Sequence, residues 1–379
     1  MIDVVINIVV FLLCLGVLVL VHEWGHFVFA RLFGVRVDRF SIGFGKPIFR
    51  LGKDKKGTEY VLAPIPLGGY VEMAGESPAT SKGLPDEFIS KPLWKRTIIV
   101  MAGPLINYLF GFLIFWLIYS LGAPELLPVV GKVLDDSPAQ RIGLQKGDKI
   151  VEVNGVKVDL WDEMREIISK HPQEEIVLKV QRDGRLLSIK VIPEAKEITD
   201  RFGVKQKMGL IGITPDISAY AQVRFPIHVA FMKAGEKVLE VTKGVFRAIV
   251  LLVSGNKQVR EAVAGPIGIY EITSQARTVG VNVLLLVLAM LSVSLAIFNL
   301  LPIPMLDGGH LVMFLIEAFI RRPIPDRVYE YTAHIGMTLI IIMTVLVIYN
   351  DIRKLTDGFH RQGVSNIVSA EKIVPSNIP

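Results

Sequence analysis

The chain is poor in cysteine, and its first 30 residues contain no Lys or Arg. A single cysteine, Cys14, excludes an intrachain disulfide and leaves the redox environment undetermined. A cleaved signal peptide would need a basic N-terminal region and a small-residue cleavage site. Neither is found here, so we expect this segment to be retained. Basic residues interleaved with aromatics on a soluble surface are also lacking, which excludes nucleic acid as a partner.

The chain is instead rich in apolar residues. It has 379 residues, of which 51% are hydrophobic, and a net charge of +6, with a mean hydropathy of +0.48. A soluble protein of this length does not need so large an apolar fraction. Between Val4 and Val21 the only strongly polar side chain is Asn7. About 20 such residues cross a bilayer, and the composition predicts a polytopic membrane protein with soluble parts.

One short stretch places ionisable side chains at the end of this apolar segment: Val21-His22-Glu23-Trp24-Gly25-His26. On a helix, His22 and His26 project from one face and can hold one metal ion, with Glu23 on the adjoining face. This is the HExxH spacing of zinc proteases, in which the glutamate acts as general base on water. Ionisable groups at membrane depth are costly unless they are ligated or paired. We therefore favour a functional site over polar residues that merely cap a span.

Charge and glycine mark the next segment. Eight basic residues lie between Arg31 and Lys56, so the positive-inside rule places this flank in the cytoplasm and the N-terminus outside. The metal site then lies toward the cytoplasmic side. Glycines punctuate short β-type runs over residues 35–75, which predicts a membrane-associated β loop whose edge can pair with an extended peptide. The alternative is a cytoplasmic loop with incidental strands.

Residues 76–97 are predicted to form a cytoplasmic loop, and residues 98–121 a second transmembrane helix. Within that helix Gly103-Pro104-Leu105-Ile106-Asn107 interrupts the apolar character. Proline removes a backbone hydrogen bond, and Asn107 is a buried amide that needs a partner. Asn107 either packs against another helix or lines the active site.

Residues 127–215 have a soluble composition with short β-type runs and one amphipathic helix at about Leu160 to Ser169. Asn154-Gly155 and Asp183-Gly184 are two-residue hairpin turns. The segment from Ser137 to Asp148, followed by Val153-Asn154-Gly155, resembles a bacterial PDZ domain. Such domains accept an extended peptide as an added strand. Two preceding spans place this domain outside the cytoplasm.

The last third of the chain holds a second concentrated polar signal. Residues 222–270 are predicted to form an amphipathic surface helix followed by a loop from Gly255 to Ile269. A third transmembrane helix lies within residues 281–320, where Asn299-Leu300-Leu301-Pro302-Ile303-Pro304-Met305-Leu306-Asp307-Gly308-Gly309-His310 interrupts the span. A catalytic zinc commonly has three protein ligands, and Asp307 can be the third. His310 is the alternative, disfavoured because it begins the following helix whereas Asp307 lies inside the break.

Arg321, Arg322 and Arg327 mark the cytoplasmic side again, before a fourth transmembrane helix at residues 333–350. This returns the C-terminus to the outside, and residues 351–379 form a polar tail. The predicted fold class is thus a polytopic α-helical membrane protein with four transmembrane helices, a membrane-associated β loop and one inserted PDZ domain.

Five features occur in the order found in the bacterial site-2 metalloproteases, and the chain resembles that family to about Arg353. They are HEWGH, GFG, GPLIN, the PDZ-like insert and NLLPIPMLDGG. The resemblance implies zinc bound by His22, His26 and Asp307, with Glu23 as the catalytic base. The residues then expected to position the substrate are Asn299, Gly43, Phe44 and Gly45, with Asn107 as a further candidate.

The resemblance also implies a bacterial inner membrane location and single-span membrane protein substrates. These are anti-sigma factors already shortened by a first protease, and remnant signal peptides. The best-known relative has two tandem PDZ domains, whereas this chain has room for one, so PDZ-based exclusion of intact substrates is left open. Two other classes of function are compatible with parts of the sequence. A catalytically inactive membrane scaffold has no need of Glu23, and a transporter predicts internal repeats or paired broken helices.

Overall fold

A computed structural model describes residues 2–76, 80–199, 205–255, 264–322 and 324–356. These residues form two compact units. One is made of the chain up to Leu117 together with the part from Phe231, and the other of Ile118–Ala230. Most of the predicted C-terminal tail, from residue 357, lies outside the described residues, as do residues 77–79 of the loop before the second span.

The helices of the first unit differ greatly in length. They are α1 (Ile2–Leu32), α2 (Leu93–Leu121), α5 (Ile227–Val253), α6 (Pro266–Val279), α7 (Val281–Asn299), α8 (Asp307–Ile320) and α9 (Asp326–Thr356). The other unit, called the inserted unit below, contains α3 (Pro138–Arg141) and α4 (Trp161–Ser169). It also includes the last residues of α2 and the first residues of α5. Within the described ranges, four helices are long and apolar enough to cross a membrane: α1, α2, α7 and Arg327–Arg353 of α9.

The segment after α1 folds into a four-stranded sheet. Its strands are β1 (Val37–Phe44), β2 (Phe49–Lys53), β3 (Glu59–Leu62) and β4 (Ile65–Met73), in the order β2-β3-β1-β4. One set of buried side chains joins this sheet to α1, including Ala30, Phe40 and Val71. The sheet therefore packs against the helix that carries the HExxH motif.

The inserted unit consists of short strands around its own core. They are β5 (Ala123–Leu126), β6 (Val130–Val133), β7 (Lys149–Val153), β8 (Val156–Lys157), β9 (Ile176–Arg182), β10 (Arg185–Val191), β11 (Glu194–Thr199), β12 (Lys205–Leu210), β13 (Ile213–Pro215) and β14 (Tyr220–Val223). β7 to β10 form a sheet in the order β10-β9-β7-β8. Its apolar face packs on α4 through Ile150, Leu178 and Met164.

An ion pair between a partly exposed arginine and a buried aspartate stabilises this unit. Arg182 donates from Nε and Nη2 to the two carboxylate oxygens of Asp148, at 2.7 and 2.6 Å. Burial alone raises the pKa of Asp148, but these hydrogen bonds and one from the Gln145 amide hold it below its usual range. A carboxyl group with a lowered folded-state pKa stabilises the fold above its unfolded pKa, and this contribution is lost as the pH falls through the folded value.

α2 contains the predicted second transmembrane helix and runs unbroken through Pro104, as transmembrane helices allow when neighbouring groups satisfy the freed carbonyl. The start of α6 differs from the sequence expectation. A loop was expected through Ile269, whereas α6 already begins at Pro266. The reason is distant in sequence: the buried Asp351 carboxylate accepts backbone N–H bonds from Gly265, Ile267 and Gly268, each at 3.1 Å, which satisfies the first turn of the helix. Residues 256–263 of the expected loop lie outside the described residues.

Candidate metal centre

The two histidines of the HExxH motif lie side by side because α1 continues as a helix to Leu32. His22 and His26 are one turn apart and both are buried. Their Nε2 atoms are 3.2 Å apart. The helical period thus places two imidazole nitrogens at one point on the buried face of α1.

Asp307 comes to the same point from the other end of the chain. It is the first residue of α8, after a non-helical segment in which Met305 has a φ of +76°. One carboxylate oxygen lies 3.2 Å from His22 Nε2 and the other 3.5 Å from His26 Nε2. A Cβ atom on Gly308 would lie 2.1 Å from the Leu301 carbonyl oxygen, so only glycine permits this tight return of the chain.

A second contact fixes α8 at its far end. Arg96 of α2 donates from its two Nη atoms to the Glu317 carboxylate at 3.1 and 2.5 Å, and both side chains are largely buried. The Arg96 guanidinium also lies 5.2 Å from the centroid of the Phe314 ring. Glu317 therefore acts as a packing contact that holds the helix carrying Asp307.

The three side chains fit a zinc ion. Ligands at about 2.0–2.1 Å from a tetrahedral ion are about 3.3 Å from one another. The distances above, 3.2 to 3.5 Å, match this value. One Asp307 oxygen, Oδ2, is buried without a hydrogen-bond partner, which is costly unless a cation satisfies it. Among the described residues, His22, His26 and Asp307 form the group of His, Cys, Asp or Glu side chains whose ligand atoms lie close enough together to hold one metal ion.

The backbone of α2 orients one of the imidazoles. His26 Nδ1 is 2.9 Å from the Ile99 carbonyl oxygen. Because a carbonyl only accepts, Nδ1 carries the proton and Nε2 presents its lone pair toward Asp307 and His22. Metal-binding histidines commonly have such a partner, which fixes both tautomer and ring direction.

Gly103 of α2 provides the space for the cluster. A Cβ atom there would lie 2.2 Å from His26 Nε2 and 2.9 Å from His22 Cε1. On α1, a Cβ atom on Gly25 would lie 2.6 Å from the Ala102 carbonyl oxygen. The two helices thus approach through glycine on both sides. The sequence showed Gly103 only as part of an interrupted span, without its role beside the histidines.

We expect Gly103→Ala to weaken zinc binding strongly, because the added methyl group overlaps a ligand nitrogen. Zinc content of the purified protein, measured by elemental analysis, should fall well below one per chain. Gly111→Ala is the matched control on the same helix, since its Cβ would meet Val293 and Ala289 of α7 and not the histidines. That variant should lose stability but keep its zinc. Full zinc content in Gly103→Ala would contradict the role assigned to Gly103.

Three further residues considered in the sequence analysis, Glu23, Asn299 and His310, lie near the three-residue cluster but are not part of it. Glu23 is half-buried, and a Cβ atom on Gly69 of β4 would lie 3.4 Å from its Cγ. Asn299, the last residue of α7, has its amide nitrogen 3.3 Å from His22 Nε2. Both therefore border the three-residue cluster. His310 lies one turn along α8 from Asp307, with its ring 6.5 Å from that of Phe314.

Gly43, Phe44 and Gly45 lie at the end of β1. The two glycines have φ values of +93° and +108°, which favour glycine. The Phe44 ring stacks on Tyr70 of β4. These three residues shape the sheet and lie outside the three-residue cluster.

Asn107 lies one turn after Gly103 and is completely buried between helices. Its backbone carbonyl accepts a hydrogen bond of 2.8 Å from Ser292 of α7. Both polar atoms of its side chain are without a hydrogen-bond partner among the described residues. The structure thus places Asn107 at a helix contact, on the turn next to the cluster.

Comparison with known proteins agrees with this geometry. Residues 10–343 match peptidase family M50. A protein of Agrobacterium fabrum, whose name describes it as a candidate zinc metalloprotease, is 36% identical over 92% of this chain and 96% of its own length. Protease RseP of Yersinia pestis is 30% identical over 91% of this chain and 98% of its own. The regulator of sigma E protease of Salmonella typhi is 29% identical over 94% and 100%.

Some solved structures are similar to a part of the chain. The PDZ domain of an SdrC-like protein from Listeria innocua is 23% identical, with a TM-score of 0.19, and the match covers 24% of this chain and 92% of that one.

The long apolar helices and the buried cluster of two histidines and an aspartate define a membrane metalloprotease. The chain belongs to peptidase family M50 and is a zinc metalloprotease.

Proposed function

We propose that this protein is an intramembrane protease that cleaves single-span membrane proteins. The observation that carries this proposal is the buried cluster of His22, His26 and Asp307 on helices of membrane-spanning length, with Glu23 beside it. Its substrates are anti-sigma factors already shortened by a first protease, and remnant signal peptides. The name of the Salmonella typhi relative supports the first of these classes.

The chemistry follows from the roles of the side chains. His22, His26 and Asp307 hold the zinc ion. Bound zinc supplies Lewis acidity, which lowers the pKa of water and polarises the scissile carbonyl. Glu23, on the adjoining face of α1, takes the proton from the attacking water and passes it to the leaving amine. The amide of Asn299 positions the substrate at the open side of the cluster.

The substrate must be extended before it can be cleaved, because the hydrogen bonds and side chains of a helix cover its carbonyls. β4 is an edge strand of the four-stranded sheet, and its Gly69 lies against Glu23. A substrate segment that pairs with this edge gains backbone hydrogen bonds beside the catalytic base. Gly43, Phe44 and Gly45 support this role at the end of β1, where the pairing with β4 shifts register between Ile42 and Phe44. Asn107, with an unsatisfied buried amide, is a further candidate for substrate positioning.

The orientation we propose has both termini and the inserted unit outside the cytoplasm, in a bacterial inner membrane. The positive-inside rule supports it, since Arg31 to Lys56 follow α1 directly. The inserted unit then acts as one PDZ domain that receives an extended peptide. α5, with apolar and basic side chains at helical spacing, lies at the membrane surface or along the catalytic core, and the hydrogen bond between its Thr242 and Tyr108 of α2 supports the second place.

The proposed function is tested by cleavage of a single-span reporter by the purified protein in detergent. Chelation should reduce cleavage to background, and added zinc should restore it, because zinc supplies the Lewis acid. A soluble reporter with the same cleavage sequence but no membrane segment is the control, and we expect it to remain intact. Cleavage that persists in excess chelator would contradict the mechanism, and efficient cleavage of the soluble reporter would contradict the substrate class.

A further inference from the structure

An apolar groove runs along the face of α1 opposite to the metal cluster. It has a volume of about 340 Å³ and lies between α1 and strands β1, β2 and β3. Leu20, Trp24 and Phe27 line it from α1, and Leu51 and Tyr60 line it from the sheet. The lining side chains are apolar except for the hydroxyl of Tyr60 and the indole N–H of Trp24. The volume lies in the range of sites that bind small ligands.

The groove has one polar end. Along α1 it extends from Leu20 to Phe27, which is about 10 Å of helix. At the Phe27 end, the Arg31 guanidinium lies 4.4 Å from the centroid of the Phe27 ring and pairs with Asp54. The Tyr60 hydroxyl donates to the same carboxylate at 3.2 Å. Polar groups therefore border the groove at this end, while the Leu20 end is apolar.

The turn at the polar end carries an excess of positive charge. It reads Lys53-Asp54-Lys55-Lys56, and its three lysines are exposed. The one acidic group of the turn, Asp54, is already engaged by Arg31. Three ammonium groups are thus presented to solvent next to the mouth of an apolar groove.

We propose that this groove binds an anionic phospholipid, with an acyl chain against Trp24 and Leu51 and the phosphate at Lys53, Lys55 and Lys56. Trp24 is 51% exposed and Leu51 is 67% exposed, so both have apolar surface available for an acyl chain. The charge gradient along the groove matches that of a lipid whose headgroup lies at the cytoplasmic surface, where anionic lipids attract basic segments. The proposal rests on the proposed orientation of α1, but not on proteolytic activity.

The test is quenching of tryptophan fluorescence by lipids with brominated acyl chains. The full-length protein is titrated in detergent micelles with brominated phosphatidylglycerol or with phosphatidylcholine carrying the same chains. The signal of Trp24 is the difference between wild type and Trp24→Phe. We expect half-maximal quenching at a phosphatidylglycerol concentration at least about tenfold lower than for phosphatidylcholine, since each basic residue favours anionic lipid about fivefold.

Two variants separate the headgroup from the groove. Lys53→Gln/Lys55→Gln/Lys56→Gln should remove the preference for phosphatidylglycerol. The matched control is Lys146→Gln/Lys157→Gln/Lys170→Gln, which also removes three positive charges but from the inserted unit. This control should keep the preference for phosphatidylglycerol. Leu51→Glu should weaken quenching by both lipids, because it places a carboxylate in the groove.

Equal quenching by the two lipids in wild type, or none by either, would overturn the proposal. A preference that survives the triple change at Lys53, Lys55 and Lys56 would overturn it as well. Because the titration reads lipid contact directly, its outcome is independent of whether the reporter is cleaved.

Discussion

Glu23→Gln is expected to abolish proteolysis while the protein keeps its zinc and its fold. The glutamate is not one of the three side chains that converge on the metal position, so its charge is not needed to hold the ion. Glutamine has nearly the same size but cannot accept a proton from water. Loss of a general base typically costs a factor of 100 to 10,000 in rate.

The measurement is the rate of reporter cleavage alongside zinc content, for wild type, Glu23→Gln and Glu72→Gln. Glu72 lies on β4, three residues from the Gly69 that contacts Glu23, and pairs with Arg39. It therefore undergoes the same chemical change close to the site without a proposed catalytic role, and its rate should stay near that of wild type. Cleavage by Glu23→Gln at the wild-type rate would remove Glu23 as the base. A wild-type protein that binds zinc but cleaves nothing would favour the scaffold hypothesis.

Features that depend on neighbouring residues were predictable from the sequence. The convergence of His22 and His26 follows from the helical period, and the long apolar segments predict membrane-spanning helices. Short β-type runs are expected within residues 127–215, and the structure contains strands there such as β7 and β9. In each case the determining pattern spans fewer than about 20 residues, and no distant partner is needed.

Features that depend on distant partners were not predictable from one sequence. Gly103 makes space for His26, 77 positions earlier, and the Ile99 carbonyl fixes the same imidazole across 73 positions. The start of α6 depends on Asp351, more than 80 positions later. Such pairs leave no periodic signal, because only the packing of helices brings them together. For Asn107 the sequence leaves two possibilities that both depend on distant partners: its backbone carbonyl accepts a hydrogen bond from Ser292, while its side-chain amide has no partner among the described residues.

The identity of the third metal ligand leads to the second large expected effect. Asp307→Ala is expected to weaken zinc binding by at least about 100-fold, because loss of a direct ligand should exceed the 10- to 100-fold cost of removing an outer partner. Its carboxylate oxygens lie 3.2 and 3.5 Å from the two histidine Nε2 atoms. Removing it leaves two ligands, whereas a catalytic zinc commonly has three.

Zinc affinity is measured by competition with a chromophoric chelator, for wild type, His22→Ala, Asp307→Ala and His310→Ala. His22→Ala shows how far the zinc affinity falls when one histidine of the cluster is lost. Asp307→Ala should lower the zinc affinity by a similar factor. His310→Ala is the matched control, since His310 lies on the same helix one turn further and outside the three-residue group. We expect it to retain zinc. If Asp307→Ala kept its zinc while His310→Ala lost it, the third ligand would be His310 and not Asp307.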